Sequence, residues 1–213
     1  MKGAQKRWTP DWAVLLSAAG FTIWGFSLLL TRVGQRYASP MVLLSIRFLL
    51  AFALLNIPLL LGREKLRLRG KNLRPLAVLG VLEPLCFVFE SYAIYFTNAT
   101  ITGVVSALSP IAAMVLSAVI LREYPTRRQA LFSLLPVAGV ILLTAAGQEV
   151  GALSWIGIPF LLGYSVCSGY FKVANRSAAD FSPYERTYAL LLSCAAFFTA
   201  AALVECRGDL TAY

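Results

Sequence analysis

The chain alternates long apolar runs with short polar connections. Seven apolar runs occur, with approximate limits 11–31, 41–61, 76–96, 99–121, 129–147, 152–171 and 187–204. A run of about 20 apolar residues is long enough to cross a bilayer as a helix. A soluble all-α protein of this length could not bury seven such runs on every face. We therefore predict an all-α fold, a polytopic membrane helical bundle.

Three charged residues lie deep inside these runs: Arg47 in the second run, and Glu83 and Glu90 in the third. A charge in hydrocarbon costs about 2.5–3.5 kcal/mol even on lenient insertion scales, so it persists where it has a partner or a function. Glu83 and Glu90 are seven residues apart, which places them on one face of a helix. The positions predict a bundle with a polar interior, which favours a protein that moves solutes.

Composition agrees with the membrane class, since 59% of the residues are hydrophobic and 14% charged, against about 25% charged in soluble domains. The net charge is +9, but 15 of the 19 basic residues precede the first run or fill alternate links. Only three lie in the other links, with Arg47 left inside a run. The positive-inside rule then predicts an integral protein of the plasma (bacterial inner) membrane with its N-terminus in the cytoplasm, and no nucleic-acid partner. The basic link 62–74 is expected to lie along anionic membrane lipid.

Cysteine and histidine content argue against catalysis. The chain has no histidine, which excludes a Ser-His-Asp triad or a histidine metal site within it. Its four cysteines show neither a metal-site spacing nor a disulfide framework, and thiols in apolar helices are usually packing residues. We predict no cofactor, no metal and no enzyme activity. An intramembrane enzyme would need a carboxylate or Ser-Lys arrangement, yet no lysine lies mid-run. A seven-helix receptor would have the opposite orientation of its N-terminus.

A weak internal repeat relates the two ends of the chain. Phe21-Thr22-Ile23-Trp24 aligns with Tyr164-Ser165-Val166-Cys167, and Ser39-Pro40 with Ser182-Pro183, at an offset of 143 residues. Five runs separate the copies, and because five is odd the second copy must be inverted in the membrane. The predicted units are 1–147, with five helices, and 148–213, with the first two helices of a second repeat. The link Gly147–Leu153 is the expected hinge, and we expect three further helices, from a longer chain or from a second copy in a homodimer.

Several short strings follow one another in a fixed order. They are Ile23-Trp24-Gly25, Ile46-Arg47-Phe48, Ala93-Ile94-Tyr95, Ala99, Ser109-Pro110, Leu121-Arg122-Glu123 and Pro136-Val137-Ala138-Gly139-Val140. Their order and spacing resemble the EamA-like branch of the drug/metabolite transporter superfamily, over residues 11 to about 205. The resemblance implies a ten-helix bundle of two inverted five-helix repeats that moves small metabolites by alternating access. Glu83 and Glu90 are outside the family pattern, so they point to a subfamily's substrate or coupling ion.

Arg47 and Glu90 each lie six residues from the outer end of their run, about 9 Å below the surface at 1.5 Å per residue. An ion pair between them is therefore geometrically available. Two interpretations stay open: a fixed pair that neutralises itself, or a pair that opens onto a cavity and contacts substrate. Glu83 lies deeper, with no basic residue at its depth. We expect it either to carry a coupling proton or to be a protonated acid that bonds a neighbouring helix.

Four aromatic residues inside the runs are candidates to line a cavity, although aromatic side chains in membrane helices more often serve packing. They are Trp24, Tyr95, Tyr164 and Tyr170. Pro110 and Pro136 lie mid-run, where a helix bends and frees backbone carbonyls. Together these features predict a secondary transporter of small metabolites, an exporter or a facilitator. Arg47 and Glu90 would line the solute site and Glu83 would couple transport to protons.

Overall fold

The computed structural model describes residues 10–66, 70–107, 109–122, 126–135, 138, 142 and 155–206. Every element in these ranges is helical. Two short turns accompany the α-helices: a π-helical turn at Ser117–Leu121 and a 3-10 turn at Asn175–Ala178. The helices are α1 Pro10–Gly34, α2 Pro40–Leu60, α3 Arg74–Phe96, α4 Ala99–Ala107, α5 Ser109–Leu116, α6 Arg127–Ser133, α7 Gly157–Ala174 and α8 Pro183–Glu205.

Five stretches are long and apolar enough to span a membrane: Val14–Gly34, Pro40–Leu60, Arg74–Phe96, Ala99–Val119 and Pro183–Glu205. They coincide with the first four predicted runs and the last one, and they confirm the polytopic membrane bundle. The sixth run corresponds to α7, which has 18 residues and is not among the five. The fifth run, 129–147, and the predicted hinge, Gly147–Leu153, lie mostly outside the described residues, as do Pro136 and part of the basic link.

The two Ser-Pro pairs begin helices with the same backbone geometry. Ser39 and Ser182 both have φ −63° and ψ 156°, and each is followed by proline in the first turn. The Ser39 hydroxyl accepts a hydrogen bond from the backbone N–H of Val42, and the Ser182 hydroxyl accepts one from that of Glu185. In return, the backbone N–H of Ser182 donates to the Glu185 carboxylate, which completes a capping box. The two Ser-Pro copies therefore also share their local backbone structure.

The fourth run ends in a π-helical turn. Helices α4 and α5 lie on either side of residue 108, which is outside the described residues, and the bend expected at Pro110 stays a prediction. The π-helical turn then widens the backbone until Arg122, whose φ of 55° ends it. Such π-helical turns are rare and occur often at functional sites.

Helix α3 lies between α7 and α8, and α2 packs along α8. The last pair is antiparallel: the Tyr184 hydroxyl near the start of α8 donates to the Leu55 carbonyl near the end of α2 (2.8 Å), and Ser39 at the start of α2 donates to Glu205 at the end of α8 (2.8 Å). Phe48 and Phe198 stack between these helices, with ring centroids 5.3 Å apart. Helix α1 lies at the edge, with most of its large apolar side chains exposed.

Candidate functional site

Helix α3 places its two acidic residues in the interior of the bundle. Glu90 is buried, with 4% of its surface exposed, and Glu83 is half-buried. The two carboxyl groups interact electrostatically, as their spacing on one helical face requires. The polar interior that the sequence predicts is therefore present, and it lies on the side of α3 that packs against α7 and α8.

Glu90 has an oxygen that no described residue satisfies. Its Oε1 is buried and has no hydrogen-bond partner in bonding geometry, and the same holds for Ser106 Oγ on α4. The side chain of Tyr164 on α7 is an electrostatic neighbour of both groups. Tyr164 is itself buried, with 7% exposed. Three helices thus supply a carboxyl, a hydroxyl and a phenol to one buried position. The Glu90 Oε1 and Ser106 Oγ atoms there can each still form a hydrogen bond.

Arg47 does not form the ion pair with Glu90 that its depth made available. Within the described ranges, the ion pair that the structure gives is Lys71–Glu185, with Nζ and Oε2 2.7 Å apart. The Arg47 guanidinium instead lies over the rings of Phe87 and Phe48, with Cζ 5.4 and 5.9 Å from their centroids. Arg47 still attracts Glu90 electrostatically. The interpretation as a fixed, self-neutralising pair is therefore wrong in this structure.

Glu83 makes neither a hydrogen bond nor an ion pair with any described residue. The expected bond between a protonated Glu83 and a neighbouring helix is thus not formed in this part of the chain. A half-buried carboxyl without a partner can exchange a proton with water in a cavity more readily than a fully buried one.

The four candidate aromatic residues go to different places. Tyr164 joins Glu90, whereas Trp24 packs against the small apolar cluster of Leu28, Ile94 and Ala99. Tyr170 is exposed on α7. Tyr95, 47% exposed, lies at the C-terminal end of α3. Of the four, Tyr164 alone reaches the acidic cluster.

Tyr95 lines an open cavity of about 400 Å³ between the α1–α2 turn and the ends of α3 and α8. Gln35 also lines it; its amide nitrogen donates to the Ser91 carbonyl (2.9 Å) and hydroxyl (3.0 Å), while its oxygen is buried without a partner. Glu205 completes the charged lining with Arg36. Sequence reasoning missed Gln35, Ser106 and Glu205, because uncharged polar residues and helix ends carry no hydropathy signal.

Metal-binding side chains do not gather in groups of three or more anywhere in the described ranges. The acidic cluster can form hydrogen bonds, attract charge and exchange protons through Glu83, Glu90 and Tyr164, with Arg47 as the positive charge that attracts Glu90.

Comparison with known proteins identifies the family of the chain. The model of the EamA-like transporter family matches residues 11–145. An uncharacterized transporter of Bacillus subtilis (strain 168), YcxC, is 32% identical over 184 residues, which cover 85% of this chain and 59% of the relative. An uncharacterized transporter of Archaeoglobus fulgidus is 28% identical over 167 residues, 78% of this chain and 57% of the relative. The chain thus spans less than two thirds of these relatives. No solved structure matches it.

Proposed function

Because the chain belongs to the EamA-like transporter family, we propose that it moves a small organic solute across the bacterial inner membrane by alternating access, as an exporter or a facilitator. The family description and both relatives' names are those of transporters, not of enzymes. The observation that carries the proposal is the buried Glu90 Oε1, left without a partner beside Tyr164. Buried polar atoms in native proteins almost always have a partner, so an open one marks a place for a ligand donor.

In this proposal Arg47 and Glu90 contact the solute with opposite charges. Their side chains attract each other without forming a direct ion pair, and in this proposal a solute group bridges them. Glu83, which is half-buried and bonded to none of the described residues, carries the coupling proton. Tyr95 belongs to the outer cavity, which is the path to the site from that side. The roles of Trp24 and Tyr170 in lining the path stay predictions.

The contacts between α2 and α8 support two inverted repeats, 1–147 and 148–213. Ser45 donates a hydrogen bond to Thr199 (3.3 Å), and Tyr188 donates one to Asn56 (3.5 Å). Adding the repeat offset of 143 to Ser45 gives Tyr188, and subtracting it from Thr199 gives Asn56. The two contacts are therefore equivalent under the repeat. A two-fold axis in the membrane plane produces such a pair of contacts between antiparallel helices.

The same symmetry accounts for the exposed face of α1. Helix α7 is the repeat equivalent of α1, and α7 is covered by α3 and α5. An equivalent of α3 in the second repeat would cover α1 in the same way. We propose that this helix comes from a longer polypeptide, as in the relatives, with a second copy of the chain as the alternative source. The proposed orientation has the N-terminus in the cytoplasm, with lipid around the outer helices.

Proton coupling is the test of Glu83. Protein purified from its own membrane is reconstituted into vesicles with an internal pH-sensitive dye and a mixture of amino acids, nucleosides and organic acids. Mass spectrometry then identifies the solutes that cross with and without a pH gradient. We expect the Glu83→Gln variant to lose the dependence on the gradient, because an amide cannot exchange the proton. Glu64→Gln is the matched control, since Glu64 is exposed just after α2.

Two outcomes would contradict the proposal at different levels. If solute movement in Glu83→Gln still depends on the gradient as in the wild type, Glu83 does not couple transport to protons, and the proposed transport function is unaffected. If vesicles with the wild-type protein and protein-free vesicles move every solute in the mixture equally, the proposed transport function is wrong. Equal reconstitution of the three proteins, checked by absorbance after extraction, is required for either conclusion.

A further inference from the structure

Two cysteines face each other across the contact between α3 and α7. The Sγ atoms of Cys86 and Cys167 are 3.1 Å apart, and each residue is 7% exposed. The Cys167 thiol also lies 3.5 Å from the Leu82 carbonyl, one turn earlier on α3. Lone thiols in membrane helices serve as small packing residues, but this pair is in direct sulfur–sulfur contact between two helices.

Tight packing around the pair fixes its geometry. A Cβ on Gly163, one turn before Cys167, would lie 2.7 Å from the ring of Phe89, one turn after Cys86 on α3. Next to that contact, Tyr164 neighbours Glu90. The helices therefore cannot slide past each other without breaking these contacts. Cys194 on α8 is also buried, but among the described residues it has no thiol within contact.

We propose that Cys86 and Cys167 form a modification site at which a small, membrane-permeant disulfide joins α3 covalently to α7. The S–S bond is about 2.05 Å long, so the sulfur atoms need to approach by only about 1 Å. One thiolate attacks the reagent and releases one thiol, and the second thiolate then attacks the mixed disulfide and releases the other. One protein S–S bond forms, two S–H bonds are lost, and the reagent disulfide is reduced to two thiols that take up the two protons.

The link has a consequence for transport. Helices α3 and α7 belong to different units, 1–147 and 148–213, and alternating access requires these units to move relative to each other. A bond between them therefore stops the cycle, and reduction restores it. This consequence rests on the proposed function, whereas the reaction of the two thiols does not.

The test uses the full chain in detergent micelles, with 4,4′-dipyridyl disulfide as the oxidant and tryptic mass spectrometry as the readout. We expect the peptide that carries Cys86 to be linked to the peptide that carries Cys167, with two pyridinethione molecules released per link. Cys86→Ser is expected to abolish this link. Cys194→Ser is the matched control and is expected to retain it.

Pyridyl adducts on both thiols without a link would overturn the proposal, and so would a link that involves Cys194 instead. An absence of reaction at both thiols, under conditions where the reagent labels the same cysteines in unfolded protein, would overturn it as well. Vesicle transport of the linked protein then tests the consequence. If the linked protein transports at the rate of the unlinked protein, the link does not stop the transport cycle, and the proposed transport function still stands.

Discussion

Arg47 carries a charge in the interior of a membrane bundle without a carboxylate in ion-pairing contact among the described residues. The rings of Phe87 and Phe48 compensate for part of this cost. Cation–π contacts contribute about 0.5–2 kcal/mol, whereas the charge costs about 2.5–3.5 kcal/mol in the membrane. The two aromatic contacts together therefore offset much of this cost, and the attraction of Glu90 lowers it as well. An anionic group of a solute, bound in direct contact, would reduce it further.

Replacing Arg47 by glutamine tests this role in recognition. The substitution keeps a polar, unbranched side chain but shortens it and removes the charge. A hydrogen bond to a charged group contributes about 1.5–3 kcal/mol, so we expect solute transport to fall by about tenfold or more. We expect protein abundance in the membrane to change little, since no direct ion pair is broken. Vesicle transport and quantitative immunoblotting measure the two quantities.

Arg63→Gln is the control for this substitution, because Arg63 is exposed beyond the end of α2. Loss of abundance in Arg47→Gln, with normal transport per molecule of surviving protein, would mean that Arg47 stabilises the fold and does not contact solute. A charge exchange between Arg47 and Glu90 that restores abundance would support the same structural role.

The charged members of the site could be predicted from the sequence, but their partners could not. Hydropathy alone finds Arg47, Glu83 and Glu90, because a charge inside an apolar run is conspicuous. Depth below the membrane surface then suggested that Arg47 and Glu90 form a pair. Depth does not fix the rotation of a helix about its axis, and in the structure that rotation turns Arg47 towards Phe87. The same uncertainty explains why only Tyr164 of the four candidate aromatic residues reaches Glu90.

At the scale of helices, α5 and α7 approach closely at Gly169. A Cβ at this position would lie 3.2 Å from the backbone of both Ala112 and Ala113, and 2.9 Å from Leu116 Cδ1. A leucine side chain can rotate away, but the backbone of α5 cannot move without displacing the helix. Small residues allow such close contacts in membranes, where packing is a main source of helix association.

Gly169→Ala is therefore expected to destabilise the bundle, although alanine is the better helix former. Overpacking of this kind costs about 1–3 kcal/mol, which lowers the midpoint of thermal unfolding in detergent by several degrees. Gly103→Ala is the control, because its Cβ would meet only Leu28 Cδ1 at 3.6 Å, an ordinary contact. Equal unfolding midpoints for the two variants would show that α5 and α7 do not pack as closely as the structure indicates.

Local sequence signals placed the ends of helices well. The Ser-Pro pairs at Ser39 and Ser182 begin α2 and α8, because the serine hydroxyl caps the first turn and proline suits its φ angle. The π-helical turn at the end of the fourth run was not predicted from the sequence. A π-helical turn depends on what packs around it, and a single sequence contains no direct record of that packing.

For the whole molecule, the odd number of predicted spans between the two repeat copies says more than the likeness of their sequences, because it requires the copies to be inverted. Ser39 and Ser182 have the same backbone angles, yet five predicted spans separate the two copies. Equivalent residues must then lie on opposite sides of the membrane. The α2–α8 contacts agree with this arrangement, because two equivalent hydrogen bonds join antiparallel helices. The orientation itself was predicted from the basic links alone.

Tyr37 and Asp180 test this claim, since both are exposed and they are related by the offset of 143. Each is replaced by cysteine in a Cys206→Ser background, where the remaining thiols are buried. We expect a membrane-impermeant maleimide to label Tyr37→Cys in intact cells and Asp180→Cys only after the cells are permeabilised. Labelling of both from the same side would contradict the inverted repeat, because inverted copies place equivalent residues on opposite sides of the membrane.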